Sequence, residues 1–263
     1  MTVYADLLRY RELFSNLFRR DYQAKYKGSF LGIFWSLLNP LILLGVYFVV
    51  VGLLLKSGTT RQFPIYLIGG LACWIFFSVS LQASARSMID SAELIKKVRF
   101  PRQLVALSMV GAQAVTFGVM TAIIIVLSVI FVPAARPTVA LTIPFALLFV
   151  GFVAGVSLLA ASLNALYRDV EHIITAALLP WFFLTPIVYD LGSLKTAQSH
   201  PKLLEVLRWG NPVTPPIYAF RDAMWSGHIR VADVIYLVVA CVVALTLGAL
   251  VFRSVDDQIA VAL

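Results

Sequence analysis

The chain has 263 residues, of which 60% are hydrophobic and 13% are charged, and its formal net charge is +8. A soluble domain carries about a quarter charged residues, so the composition excludes an ordinary soluble protein. The charges are also unevenly spaced, because six runs of 18 to 33 residues contain no Asp, Glu, Lys or Arg. A helix needs about 20 mostly apolar residues to cross a hydrocarbon core. We therefore predict an all-α integral membrane protein with six transmembrane helices.

The predicted spans follow the six uncharged runs within one transmembrane domain, 1–263: 30–55, 63–85, 104–132, 139–164, 173–189 and 234–252. Transmembrane strands are excluded because the runs lack the alternation of a barrel. Pro180 and Pro186 both lie in the fifth run and argue against one continuous straight helix there. Cys73 and Cys241 fall inside apolar runs, which predicts buried free thiols rather than a disulfide.

The segment before the first span, residues 1–29, repeats apolar residues at the helical period and carries basic residues on its other faces. This pattern predicts an amphipathic helix in the membrane interface, and a solvated N-terminal helix is the alternative. Its first 27 residues lack a continuous apolar core, so we expect no cleavable signal peptide.

Basic residues are concentrated in this segment and in the loop 86–102, which places the N-terminus in the cytoplasm. The later loops 165–171 and 190–233 run against this rule, but early segments usually dominate orientation. An even number of spans returns the C-terminus to the cytoplasm. Retention of basic loops thus explains the net positive charge, and we expect no nucleic-acid partner.

The stretch SAELIKKVRFPRQL, residues 91–104, is a short basic and apolar element between two apolar runs. Its basic residues surround four apolar ones before a proline: Lys96, Lys97, Arg99 and Arg102 around Leu94, Ile95, Val98 and Phe100, then Pro101. A loop that needs only positive charge has no use for four apolar residues. We therefore predict that this element docks into a groove on a soluble partner, and a plain positive-inside loop is the alternative.

The chain lacks the residues that several classes of function require. No acidic or basic residue lies inside a run, whereas ion-coupled carriers normally keep one at mid-membrane. The chain has no G-x-x-x-x-G-K-[ST] motif, so it does not bind ATP by a P-loop. His172, His200 and His228 are too far apart in sequence to suggest a metal site. We expect neither a cofactor nor a catalytic residue in this chain.

Four stretches carry a resemblance to a known family: RELFSNLFRRDYQAKYKGSFLGIFWSLLNPL, ELIKKVRFPRQL, ALYRDVEHI, and NPVTPPIYAFRDAMW after TPIVYDL. In this order they resemble the permease subunits of ATP-binding-cassette exporters of bacterial surface polysaccharides. This ABC type-2 family exports O antigen, capsule and teichoic acid. The resemblance covers nearly the whole chain and is less specific for the exported substrate.

The resemblance implies a homodimer with two ABC ATPase subunits beneath it, in the bacterial inner membrane. ATP and Mg would be bound by the ATPases and not by this chain. The coupling residues implied are Glu93, Leu94, Ile95, Lys96, Lys97, Val98, Arg99, Phe100 and Pro101, with Arg168 and Asp169 at a second cytoplasmic turn. The segment 190–233 would form short gate helices at the outer mouth. Its sequence over 204–230, interrupted by prolines, predicts two half-buried helices at that surface.

The family also implies a channel lined by aromatic and polar residues, in each subunit or at their junction. Our candidates are Trp35, Asn39, Tyr47, Trp74, Phe76, Phe77, Trp181, Phe182 and Tyr189. Aromatic faces would let sugar rings slide without strong binding. For each candidate, packing against lipid or against the protein core is the alternative.

The expected function is export of a lipid-linked polysaccharide to the outer side of the membrane, driven by the partner ATPases. An ABC exporter of a lipid or small hydrophobic molecule would share the same spans and docking element. An integral-membrane glycosyl- or acyltransferase would need a polar cluster at a membrane face. The sequence offers one cluster of that kind, Arg168, Asp169, Glu171 and His172.

Overall fold

The computed structural model describes residues 4–28, 32, 34–47, 49, 63–98, 100–191 and 201–262, and its regular elements there are helices. The α-helices are α1 (Ala5–Arg9), α2 (Arg11–Tyr26), α3 (Phe34–Tyr47), α4 (Phe63–Asp90), α5 (Ala92–Lys97), α6 (Gln103–Phe131), α7 (Thr142–Leu166), α8 (Asp169–Leu184), α9 (Pro201–Glu205), α10 (Thr214–Arg221) and α11 (Val231–Ala262). Short 3₁₀ turns, Pro133–Ala135 and Val139–Leu141, join α6 to α7. Single π-helical turns, Val206–Gly210 and Asp222–Ser226, follow α9 and α10.

Four helices in the described ranges are long and apolar enough to cross a membrane: Phe63–Asp90, Gln103–Phe131, Val139–Leu166 and Val231–Ile259. The prediction of an all-helical, multi-pass membrane protein is thereby confirmed. Two predicted spans are represented by shorter helices. α3 covers the middle of 30–55, and α8 begins four residues before the predicted fifth span and ends five residues before its end.

The helix α8 passes through Pro180 without a break and ends at Leu184, and the next residue, Thr185, is extended. The two prolines therefore act differently from one another. Pro180 removes one backbone donor from a helix that continues, whereas Pro186 disfavours helical backbone at the residue before it. The expected interruption is present at Thr185 and not at Pro180.

The centre of the bundle is α4, whose residues are buried on nearly all sides by α6, α7 and α8. The helices α7 and α11 are joined through small residues, as in many membrane helix contacts. A Cβ on Gly155 would overlap the Ala244 carbonyl of α11, and one on Gly248 would lie 2.6 Å from the Gly155 oxygen. Close backbone approach at these glycines therefore fixes how α11 lies on α7.

One end of the bundle carries a second apolar cluster, which we call the base cluster. It joins six helices through buried side chains: Leu17 of α2, Met88 of α4, Ile95 of α5, Leu104 of α6, Leu158 of α7 and Phe252 of α11. The predicted N-terminal helix is thus two helices, and α2 packs on the bundle. Phe18 lies against Gly111 of α6, where an added Cβ would come within 3.3 Å of its ring.

The end of the bundle opposite the base cluster carries residues 201–230. The prediction of two half-buried surface helices is wrong for α10, since all eight of its residues are buried. Pro215 and Pro216 occupy the first turn of α10, where a missing backbone donor costs nothing. The prolines therefore start this helix and do not keep it at the surface.

Candidate functional site

The predicted docking element folds as α5, one and a half turns long. Its backbone bonds run from Ile95 N to Ser91 O (3.0 Å) and from Val98 N to Leu94 O (3.1 Å). Ile95 is buried, and Leu94 and Phe100 pack partly buried on the base cluster. These apolar side chains hold α5 to its own chain, so they are not the surface that a partner would meet.

The exposed face of α5 is charged. Glu93, Lys96 and Lys97 are exposed, and Lys97 Nζ lies 3.6 Å from Glu93 Oε2 across one helical turn. Val98 is 51% exposed and is the apolar residue this element offers to a partner. Arg99 lies outside the described residues, so its role in coupling to the ATPase stays a prediction. Pro101 is partly buried at the start of the turn into α6.

Polar contacts tie α5 to the N-terminal helix. Arg20 of α2 donates from Nη2 to Ser91 Oγ at 3.4 Å, just before α5 begins. Its neighbour Asp21 is buried and accepts hydrogen bonds from Arg20 Nε (2.8 Å) and Ser108 Oγ (2.6 Å). Hydrogen bonds to a buried carboxylate are among the stronger ones in proteins. Displacement of α5 would therefore also displace α2 and the first turns of α6.

The second predicted turn, between α7 and α8, lies at the same end. Arg168 and Asp169 are exposed at the start of α8. Buried Asn164 braces the turn, because its amide donates to Ala85 O (2.8 Å) and its oxygen accepts from Glu171 N (2.8 Å). Glu171 also pairs with Arg86 of α4 at 3.2 Å. The sequence analysis missed Asn164; the available signal was an uncharged polar residue just before a predicted turn between two spans.

The predicted channel residues divide into groups. Four of them meet between α4 and α8: the Trp74 ring lies 5.6 Å from Phe182 and 6.4 Å from Trp181, and Phe77 lies 5.3 Å from Trp181. Phe76 faces away from this group and stacks on Phe117 of α6 at 4.7 Å. It is 3% exposed, so within this protomer it packs in the core.

The remaining predicted channel residues lie apart from that aromatic group. Trp35 on α3 is 51% exposed, and the side chains of Asn39 and Tyr47 lie outside the described part of the structure. Tyr189 is partly buried beyond the end of α8, and its hydroxyl donates to Phe183 O at 2.9 Å.

A cleft of about 370 Å³ opens between α3, α4 and α8. Trp74 and Phe182 line it together with Ser78, Gln82 and Thr175, and its other walls are aliphatic. Aromatic rings stack on apolar faces of sugars, while hydroxyl and amide groups bond their edges. The cleft thus combines the two kinds of contact that a glycan uses.

The end opposite the base cluster holds charged residues that the sequence reasoning did not select. Asp222 pairs with Arg230 at 2.8 Å, and fully buried Asp233 pairs with Arg230 (3.1 Å) and Arg208 (3.1 Å). Tyr218 donates to Asp190 Oδ1 at 3.2 Å. Burial raises the pKa of this phenol, and Tyr66 and Asp190 raise it further, so it stays a neutral donor.

The family model of the ABC-2 type transporter matches residues 12–225. The chain belongs to this family. Curated relatives of this ABC-2 transporter include the O-antigen export system permease protein RfbA of Myxococcus xanthus, 28% identical over 256 residues that cover 97% of this chain and 96% of the relative. Two proteins of that name from Klebsiella pneumoniae are 27% and 25% identical, each over 92% of this chain and 91% of the relative.

The resemblance to permease subunits of ABC type-2 exporters, inferred from four sequence stretches, is therefore confirmed. Three stretches lie wholly inside the matched range, and the first begins one residue before it. Membership in a transporter family argues against the alternative of a membrane enzyme. The proposed polar cluster of that enzyme is used structurally at Glu171, which binds Asn164 and Arg86.

Proposed function

We propose that this ABC-2 transporter is the channel-forming subunit of an ATP-driven exporter that moves lipid-linked polysaccharide from the cytoplasm to the outer side of the bacterial inner membrane. The observation that carries the proposal is the match, over nearly the full length, to proteins named O-antigen export permeases. The charged face of α5 and the aromatic cleft are consistent with that cargo and with an ATPase partner.

The proposed assembly is a homodimer of this chain with two ABC ATPase subunits, which bind ATP and Mg. Each chain crosses the membrane six times, with α3 and α8 as parts of the first and fifth crossings. The base cluster faces the cytoplasm with both termini. Support comes from Asp256 near the end of α11, which pairs with Arg102 at 2.7 Å beside α5.

Coupling runs from the ATPase to the bundle in this proposal. The ATPase contacts Glu93, Lys96, Lys97, Val98 and Arg99, with Arg168 and Asp169 at the neighbouring turn. The apolar residues Leu94, Ile95 and Phe100 pass its movement to the base cluster. Because these three residues pack on α2, α4 and α6, the ATPase moves several helices together and not the loop alone.

The cleft between α3, α4 and α8 is the proposed path of the glycan. Trp74 and Phe182 supply stacking surfaces, and Ser78 and Gln82 supply hydrogen bonds. Since α3 and α8 form two of its walls, movement of these two helices relative to α4 would widen it.

Reversing charge on α5 tests the proposal. Lys96→Glu with Arg99→Glu is expected to abolish co-purification of the ATPase in mild detergent and to stop polysaccharide from reaching the cell surface. The matched control reverses two charges at the opposite end, Lys202→Glu with Arg136→Glu, and is expected to keep both. Unchanged export and unchanged ATP turnover in the first variant would exclude α5 as the docking element.

The cargo is tested separately. Deletion of the chain from its host is expected to leave lipid-linked polysaccharide in the cytoplasm and to remove it from the surface. Accumulation of another lipid, with surface polysaccharide intact, would instead favour the exporter of a lipid or small hydrophobic molecule.

A further inference from the structure

Residues 185–191, which follow α8, form almost no regular backbone hydrogen bonds. Their described backbone–backbone bonds run from Thr185 N to Trp181 O and Phe182 O at the end of α8, and from Ile187 N to Thr185 O. We call this stretch the exit segment. Irregular backbone at membrane depth is tolerated only where protein or a wet cavity satisfies its polar groups. Here side chains from elsewhere in the bundle satisfy them.

Arg221, at the end of α10, supplies the main contacts to the exit segment. Its Nη1 donates to Pro186 O at 2.7 Å and its Nη2 donates to Ile187 O. The guanidinium carbon lies 3.8 Å from the centre of the Tyr66 ring, and Tyr66 itself donates to Tyr189 O at 3.1 Å. Arg221 is 1% exposed.

The arginine has no carboxylate within ion-pair distance among the described residues, and its Nε has no hydrogen-bond partner there. A buried cation without a carboxylate is expensive to keep. A leucine or methionine would fill the same space in α10 without that cost, but it would leave the carbonyls of Pro186 and Ile187 without these donors. Stability of α10 alone therefore does not account for an arginine at this position.

A second contact joins the same two elements. Asn211, just before α10, donates from Nδ2 to Thr185 Oγ1 at 2.9 Å. Its Oδ1 accepts from Trp181 Nε1 at 3.0 Å and from Val213 N at 3.1 Å. Trp181 belongs to the aromatic group beside the proposed glycan path, so this contact links that path to the opposite end of the bundle.

We propose that Arg221 and Asn211 form a two-point latch that holds residues 211–226, here called the plug, against the end of α8. The inference rests on the proposed function in taking this end as the outer mouth. The latch consists of side-chain bonds to an irregular segment, so it can open without unfolding a helix. Movement of α8 breaks both points together, because Pro186, Ile187 and Thr185 all follow directly from that helix.

The proposed latch can be tested without knowing which cargo the transporter exports. The complete transporter, reconstituted in liposomes without nucleotide, should be closed to a small neutral solute such as sorbitol, measured by osmotic swelling. Arg221→Met and Asn211→Leu should each raise sorbitol entry about tenfold or more, because each variant removes two side-chain hydrogen bonds to α8 or to the exit segment. A neutral solute is used because removal of a cation would by itself alter the passage of ions.

The control is Arg136→Met, which removes an arginine at the same end whose Nε donates to Val129 O at 3.0 Å on the exposed turn after α6. It should leave sorbitol entry unchanged. Wild-type tightness in both latch variants, with assembled transporter verified by size-exclusion chromatography, overturns the proposal.

A cross-link provides a second test of the latch if the Arg221 and Asn211 variants do not assemble. Thr185→Cys with Asn211→Cys, joined by a short reducible thiol reagent, should stop export, and reduction should restore it. The control is Gly151→Cys with native Cys241, oxidised to a direct disulfide, because a Cβ at Gly151 would lie 2.7 Å from Cys241 Sγ within the fixed α7–α11 contact, which leaves no room for a bridging reagent. This disulfide should leave export unchanged. Full export by the cross-linked latch pair overturns the proposal. Absence of export by the wild-type transporter would instead count against the proposed function, while sorbitol entry would still report on the latch.

Discussion

Gly70 of α4 and the guanidinium of Arg221 occupy the same narrow slot: a Cβ on Gly70 would overlap Arg221 Nη2. Gly70→Ala is therefore expected to displace the guanidinium from Pro186 O and Ile187 O without changing the arginine itself. It should reproduce the sorbitol entry of Arg221→Met in reconstituted transporter.

The neighbouring residue provides a matched control for Gly70→Ala. A Cβ on Gly69 would lie 2.9 Å from Met224 Sδ, the flexible part of a methionine side chain that can shift at small cost. Gly69→Ala should stay tight to sorbitol. Equal entry in both alanine variants would mean that crowding of α4, and not loss of the arginine contacts, opens the plug.

Gly155→Ala should destabilise the bundle at the contact of α7 with α11. The added methyl group would overlap the Ala244 carbonyl, which is backbone and cannot move aside. Overpacking of this kind costs about 1–3 kcal/mol. A protein of this size should then melt several degrees lower, by about 2–4 °C per kcal/mol, measured on the detergent-purified chain by fluorescence-detected size exclusion after heating.

Gly118→Ala in α6 is the control for that measurement, because nothing lies within 4 Å of the added Cβ. It should melt with the wild type, or slightly above it since alanine favours helix over glycine. An equal rise of the melting temperature in both variants would show that helix propensity outweighs the backbone contact at Gly155.

Asp21→Ala should loosen α2 from α6 by about 2 kcal/mol, since it removes the acceptor for Arg20 and for Ser108. Limited proteolysis should then cut within residues 11–26 more quickly than in the wild type. Glu12→Ala, at an exposed position of the same helix, should leave the cutting rate unchanged. Equal rates in the two variants would mean that the apolar face alone holds α2 in place.

Comparison of Phe76→Ala with Trp35→Ala should distinguish an effect on stability from an effect on export. Phe76 is buried against Phe117 and Phe149, so its loss should cost about 3 kcal/mol of stability. Trp35 is half exposed, and its loss should cost less than about 0.5 kcal/mol. Export normalised to folded protein should fall for Trp35→Ala if this residue lines the path; a melting temperature unchanged by Phe76→Ala would contradict its place in the core.

The sequence predicted the long helices well because charges delimit membrane runs. The expected 104–132 and 139–164 differ from the structure by two residues or fewer at each end when the 3₁₀ turn before α7 is included. The helices α4 and α11 extend past their predicted spans, to Asp90 and Ala262. A first charged residue marks the membrane boundary, but helical hydrogen bonding continues beyond it into water.

Long-range packing was beyond the reach of sequence patterns. The apolar residues of α5 predicted contact with a partner, yet Ile95 packs in the base cluster, because which of two surfaces a short helix buries is decided by residues far away in sequence. The sequence around Arg221 likewise indicates a surface charge. It does not show that the missing side chains of Gly69 and Gly70 on α4 leave room for the guanidinium. In a sequence, a pair of glycines in an apolar run indicates only close helix packing or a bend.

The shortness of α8 has a consequence for the membrane around it. Its 16 residues span about 24 Å, whereas a hydrocarbon core is about 30 Å thick. If α8 belongs to the fifth crossing, the bilayer thins beside it, water reaches down to Thr185 from outside, or the exit segment completes the crossing within the protein. In the first two cases the electrical potential of the membrane falls over a shorter distance here than elsewhere. A charged sugar would cross most of that potential before it reached the plane of the outer lipid headgroups.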